Sequence, residues 1–391
     1  MSHDPSSSSA TTTTLNDLGL FTGVPQHENF GRLDELLHTR AMAPSRRPHQ
    51  WEVGEPVDLP ESFDLGGRTR SVEAFLHDTD TAALLVIQDG AIRHERYLLT
   101  GGMDVPWLSM SVAKSFVSAL VGIAVAEGDI TDVEDPISDY VPVEPGSAYD
   151  GVAIRSVLQM SSGARWHEDY SDPASDVRRI ANATSGVAGD HDTIVATMVR
   201  ENEPDTVCRY NSCDTQALAA LVRRATGRHL ADYMQTRLCE PLGFSRPGYW
   251  IVDRAGVEMG YGGLNLVARD YATIGELYRN GGSWDGSQIV PASWVRSSTT
   301  VTAPHLRPGA VRIGNDTLDQ GYGYQWWIPE GNRGEFMAVG VYNQFVYVDP
   351  ISRVTIVKLS ANRRYGISTD EADNREDETL AFLRAVARRF D

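Results

Sequence analysis

The rhythm of apolar and polar positions changes twice along the chain. ALLVIQDGAIRHERYL (83–98) holds two β-rich runs around Gln88-Asp89-Gly90, which predicts a hairpin. From Ser111 to about Gly281 helical spacing dominates, as in DTQALAALVRRATG and ARDYATIGELYRNGG, each stopped by glycine. Strand patterns return from about residue 320 in GYGYQWWIP, EFMAVGVYNQFVYVDP and RVTIVKLSA. The last apolar run, DETLAFLRAVARRF, has helical spacing and predicts a closing helix. Strands at both ends with helices between them predict an α+β fold. In it an antiparallel β-sheet flanked by helices is assembled from both ends of the chain, and a mainly helical domain is inserted. The expected division is 76–108 with 282–391 for the sheet domain and 109–281 for the helical one. A cleft is expected where the two meet.

Ahead of these elements, residues 1–20 open with SSSSATTTT, a polar stretch that predicts a disordered tail. Residues 21–75, rich in Pro and Arg, read as an extended lead-in.

Composition narrows the partners. The 391 residues carry a formal net charge of -18, which repels phosphate backbones and anionic headgroups. Nucleic acid and membrane partners are therefore not expected. The apolar run from Phe116 to Ala126 is too short to cross a bilayer and suits a buried helix. Cys208, Cys213 and Cys239 cannot all pair and have no metal-ligand spacing, which predicts free thiols in a reducing compartment. With no basic and apolar leader visible at the N-terminus, the expected location is cytoplasmic.

One detail of composition points to chemistry. Of 35 basic side chains only Lys114 and Lys358 are lysines, and both lie in apolar segments. A desolvated lysine can become a neutral base, which arginine cannot. Lys358 reads equally as a strand residue turned to solvent. Lys114 has a second feature: Ser111 stands three residues before it, so the two share one face of a helix. With Pro106 upstream, Ser111 falls in the first turn, where the helix dipole favours an alkoxide. A serine–lysine pair is one arrangement that turns a hydroxyl into a nucleophile.

Competing signatures are missing. No G-x-S-x-G elbow occurs, neither lysine follows a glycine as in a Walker A loop, and His167-Glu168 lacks a second histidine at the zincin spacing. The other histidines, among them His94, His191 and His229, are scattered and read as surface or core residues.

Ser111-Val112-Ala113-Lys114, followed by ITDVEDPISDYVP and VAIRSVLQMSSGARW, resembles the serine β-lactamase and penicillin-binding-protein superfamily, in its class C β-lactamase and family VIII esterase branch. The resemblance implies a β-lactamase-like fold and a second motif at Tyr210-Asn211-Ser212. There the Tyr210 phenol would shuttle a proton between the nucleophile and the leaving group. Read from the sequence alone, Tyr210 serves equally as the cap of a helix starting near Asp214. The third motif aligns as Ala338-Val339-Gly340, without the Lys or His usual in its first place. That departure argues against β-lactamase and D-Ala-D-Ala peptidase activity. The resemblance further implies an oxyanion hole from the backbone N–H groups of Ser111 and Val341.

Within the superfamily the run Glu168–Ser175, Gln325-Trp326-Trp327 and VKLS (357–360) are similar to the 6-aminohexanoate-dimer hydrolases. In those enzymes the residue matching Tyr170 contacts the substrate amide. Two departures fall at Ala181, where an acidic residue is expected, and at Tyr342, where a histidine is expected. Trp166, Tyr170, Trp327 and Tyr342, with Trp326, are the candidate substrate-binding aromatics, and the polar stretch 167–191 is a candidate lid. The expected protein is thus a serine hydrolase that cleaves small esters or amides through an acyl-enzyme and needs no metal or organic cofactor. Its partner would be the small-molecule substrate, and a homodimer is compatible with the sequence. The rival readings are a β-lactamase or D-Ala-D-Ala peptidase, a non-catalytic binding protein on the same scaffold, and acyl transfer in place of hydrolysis.

Overall fold

The computed structural model of the chain describes residues 15–186 and 189–391. Its centre is an eight-stranded sheet whose strands run, in spatial order, Gln320–Tyr322, Trp327–Pro329, Phe336–Gly340, Gln344–Asp349, Val354–Ser360, Thr81–Gln88, Ala91–Tyr97 and Glu52–Val53. Every pairing is antiparallel except the last, where Glu52–Val53 runs parallel to Ala91–Tyr97. The hairpin forms as predicted. Asp89 at φ 54° and Gly90 at φ 83° supply the two left-handed residues of a tight turn.

Strand alternation divides the core. Leu85, Ile87, Val346 and Val357 face the helix Ala268–Arg279, whereas Leu84, Val86, Phe345 and Ile356 face the helices Val72–Asp78 and Glu376–Ala387. Both faces are covered, which is why Thr81–Ile87 is buried at every position. The closing helix expected from DETLAFLRAVARRF is the second of these covers.

The inserted part is built on the helix Ala113–Glu127, which packs against Ser212–Thr226. The segment Met110–Glu127 is apolar and long enough to cross a bilayer, but 83% of it is buried inside the protein. Gly122 lets Trp294 lie directly on the helix, since an added Cβ would stand 2.6 Å from the indole. A second, four-stranded sheet, absent from the sequence reading, joins Thr39–Met42, Gly248–Ile251, Leu264–Leu266 and Trp107–Leu108.

Two expectations need correction. Residues 1–14 of the predicted tail lie outside the described residues, but Leu15, Leu18 and Leu20, within its last part, are buried. These three leucines supply apolar surface that the Ser/Thr run before them lacks. Lys358 is not turned to solvent. It is fully buried on the strand Val354–Ser360, where Nζ donates to Thr79 Oγ1 at 3.0 Å and to Ser360 Oγ at 2.5 Å and lies over the Phe75 ring. Covering helices on that face turn an outward-pointing strand position into a core position.

Candidate active site

Ser111 sits where the strand Trp107–Leu108 gives way to the helix Ala113–Glu127. The turn Met110–Val112 makes that connection, and Met110 holds a left-handed φ of 45°. A non-glycine residue in this region carries backbone strain on the order of 1–3 kcal/mol, and such strain gathers at functional sites. The turn leaves Ser111 8% exposed, at the floor of a cleft between the sheet and the helical part.

Lys114 is buried one turn further on. Its Nζ donates to Ser212 Oγ at 3.0 Å and to the Tyr261 carbonyl at 2.9 Å, and it lies 5.2 Å from the Tyr210 ring centre. Burial pulls the amine down to about 8, against the opposing pull of the Glu168 and Asp214 carboxylates. At neutral pH a usable fraction is therefore uncharged. Asp214 is itself buried and pushed up to about 7, and it accepts hydrogen bonds from Tyr149, Ser162 and Asn211.

Tyr210 is held by its own backbone, whose N–H donates to the Arg312 carbonyl at 2.7 Å. Its ring stacks on Trp327 at 5.1 Å. The helix cap is Asn211, whose side chain accepts from the N–H groups of Cys213 and Asp214, so Tyr210 is free of that role. Burial, with the Glu168 charge, raises the phenol well above its ordinary range, while the neighbouring Ser111 side chain pulls the other way. Tyr210 is accordingly a protonated donor in the resting site.

Gly340 ends the strand Phe336–Gly340 against the nucleophile turn. A Cβ here would stand 2.6 Å from the Ser109 carbonyl oxygen and 2.9 Å from the Ser111 nitrogen. Only glycine admits that approach of the Gly340 backbone to that of Ser111.

Two pockets meet at Ser111, Tyr170 and Val341. One is apolar and lies between the N-terminal segment and the helix Asp176–Thr184, with Leu20, Leu108, Ile251 and Met259 in its walls. The other contains Tyr210, Trp327, Met337 and Val339. Beyond it opens a cleft of about 470 Å³ rimmed by Asp169, Asp316, Glu371, Glu376 and Asp377.

The site gathers Ser111, Lys114, Tyr210, Tyr170, Trp327 and Val341. Three expected substrate-binding aromatics are corrected. Trp166 is buried and points its indole N–H at Glu168, lining none of these pockets. Tyr342 is 1% exposed and stands behind the site, its hydroxyl accepting from the Phe21 N–H at 2.7 Å. Trp326 is core, packed on Tyr278 and Phe336. In each case a large ring beside a cleft serves better as its wall support than as its surface.

The sequence reading placed Glu168 and Ser212 within motifs but gave neither a role. Buried Glu168 accepts from Trp166 Nε1, from Tyr170 OH at 2.6 Å, and from Ser212 through Oγ at 2.7 Å and N at 3.2 Å. The spacing Trp166, Glu168, Tyr170 was its only local signal, because the fourth and third donors come from a residue 44 positions away. Among the described residues no three His, Cys, Asp or Glu side chains cluster as metal ligands.

Known proteins share this arrangement of chain. The family model described as Beta-lactamase matches residues 68–381. The 6-aminohexanoate-dimer hydrolase of Paenarthrobacter ureafaciens is 34% identical over 340 residues, covering 85% of this chain and 84% of that one. A candidate 6-aminohexanoate-dimer hydrolase from Bacillus anthracis superposes with a TM-score of 0.82 at 22% identity, over 97% of this chain and 98% of its own. A family VIII carboxylesterase superposes at 0.59 with 15% identity, over 81% and 95%. The fold, the family match and the extent of that 34% identity together make this chain a hydrolase that belongs to the beta-lactamase family.

Proposed function

We propose that the protein hydrolyses small esters or amides through an acyl-enzyme on Ser111. Neutral Lys114 takes the proton of the Ser111 hydroxyl as Oγ attacks the carbonyl carbon. The backbone N–H groups of Ser111 and Val341 hold the oxyanion, an interaction worth roughly 2.7–4 kcal/mol per donor in other hydrolases. Tyr210 gives its proton to the leaving oxygen or nitrogen as the carbon–heteroatom bond breaks, and regains one from the Lys114 ammonium. Water then enters, loses a proton along the same path and releases the acid.

The observation that carries this reading is the buried Lys114 amine, lowered to about 8, three residues after Ser111 in the chain and 5.2 Å from the Tyr210 ring centre. The relative that hydrolyses the 6-aminohexanoate dimer supports an amide substrate. Val339 lines the pocket that contains Tyr210, and no Lys or His stands in the Ala338-Val339-Gly340 triplet, which disfavours β-lactam recognition. Three buried, unpaired thiols fit a reducing compartment.

The test is hydrolysis of p-nitrophenyl acetate and butyrate by wild type and Ser111→Ala, with mass mapping of trapped acyl groups. An acyl adduct on Ser111 and an inactive variant are expected. Turnover that survives the substitution would move the nucleophile elsewhere.

A further inference from the structure

The apolar pocket at Ser111 contains one charged group, and that group is cationic. Tyr210 donates to the leaving atom, so the leaving group lies in the pocket that contains Tyr210 and Trp327. The opposite pocket must then receive the acyl chain. The N-terminal segment closes it from above. Leu15 and Leu20 enter its wall, and Phe21 is pinned by its N–H on Tyr342 and by ring contact with Tyr170 at 4.7 Å. From the side it is closed by the helix Asp176–Thr184, which presents Val177, Arg178 and Ala181 on one face.

Arg178 differs from its neighbour on that helix. Arg179 pairs with Asp176 at 3.2 Å. Arg178 has no carboxylate partner among the described residues; its guanidinium donates to the Leu20 carbonyl at 3.4 Å and lies over the Phe21 ring. No described carboxylate lines this pocket. In a chain of net charge -18, a guanidinium that lacks an acidic partner among the described residues and lines the same pocket as Ser111 is well placed for an anion from outside.

Resting on the acyl-enzyme reading, we propose that this pocket takes an unbranched apolar acyl chain ending in a carboxylate, and that Arg178 binds that carboxylate. Apolar walls accommodate the methylenes, and the planar guanidinium at the helix gives the chain a defined end. Substrates of this class are monoesters or monoamides of α,ω-dicarboxylic acids. Arg178 is then a specificity-determining residue with no part in the proton transfers.

The experiment compares mono-p-nitrophenyl adipate with p-nitrophenyl hexanoate, an acyl chain of equal length without the charge. Wild type is expected to favour the anionic ester about tenfold or more in kcat/KM, a ratio in keeping with a charge-assisted hydrogen bond. Arg178→Gln should collapse the ratio toward unity, and Arg178→Lys should restore part of it, which a merely structural role would not do. A wild-type preference for hexanoate, or a ratio indifferent to Arg178→Gln, would overturn the proposal. Calorimetry on Ser111→Ala with adipamate, the monoamide of adipic acid, and uncharged hexanamide separates the two readings. Arg178-dependent adipamate binding without turnover of either ester would keep the pocket and reject the acyl-enzyme. Ser111-dependent turnover with equal binding of both amides would do the reverse.

Discussion

Lys114 and Glu168 are joined through a single hydroxyl: Ser212 Oγ accepts from Lys114 Nζ at 3.0 Å and donates to Glu168 Oε1 at 2.7 Å. The amine thereby has a buried counter-charge close enough to moderate its desolvation and too far to hold it as an ion pair. A direct carboxylate contact would keep Lys114 protonated; none at all would drive it fully neutral.

The first prediction concerns the pH profile. Burial lowers Lys114 from its ordinary value to about 8, so the neutral base grows as pH rises through that value. The ratio kcat/KM should climb between pH 7 and 9 and then level. Arg in place of Lys114 keeps the charge but cannot release the proton, so Lys114→Arg should lose about 1,000-fold or more. A flat profile, or an active Arg variant, would remove Lys114 as the base.

Glu168→Gln tests the counter-charge. The amide retains acceptor capacity for Ser212 but deletes the negative charge that raises the Lys114 pKa. The rise in kcat/KM should move to lower pH, alongside a loss of about tenfold at its plateau as the donors around residue 168 rearrange. If the inflection stays where it is in wild type, Glu168 only packs.

Gly340→Ala tests the oxyanion geometry. Its Cβ would press on Ser109 O and Ser111 N, driving the Val341 N–H away from the nucleophile turn. We expect a fall of about 100-fold in kcat with a smaller change in KM, because the lost interaction is made chiefly in the transition state. Wild-type kcat in this variant would show that the close approach is not needed.

Lys358→Met addresses stability. Burial lowers Lys358 to about 7, so below that pH the folded protein holds a buried charge whose partners are two hydroxyls. Between about pH 7 and the unfolded value near 10.4 the unfolded chain binds more protons at this site, and wild type gains stability as pH rises. Urea unfolding of both proteins should show the variant's advantage greatest near pH 6. It should shrink by about 1 kcal/mol per pH unit between pH 7 and 9. A difference that does not depend on pH would mean Lys358 is not titrating there.

Much of the site could be read before the fold was known. Ser111 and Lys114 are a local pair, and helical geometry alone puts them on one face. The closing helix and the Asp89-Gly90 hairpin are also local, set by spacing and turn chemistry. Glu168 was not legible in that way, because its role comes from Ser212, on another element. Trp166 and Tyr342 were misjudged for the same reason: an aromatic residue in a sequence carries no sign of whether it lines a cleft or supports its wall.

By itself the sequence determined that strands at both ends flank a helical middle and that Ser111 and Lys114 form a local pair, since each follows from periodicity or from near neighbours, while the glycine at the third motif came from the family resemblance. Only the tertiary structure decided the rest. It buried Lys358 by laying two helices over a strand face, and it brought Leu15, Leu20 and Phe21 into the wall of the pocket that holds Ser111. It also left Arg178 in an apolar pocket without an acidic neighbour among the described residues. Burial and charge pairing are sums over segments far apart in the chain, and they exist only once those segments have met.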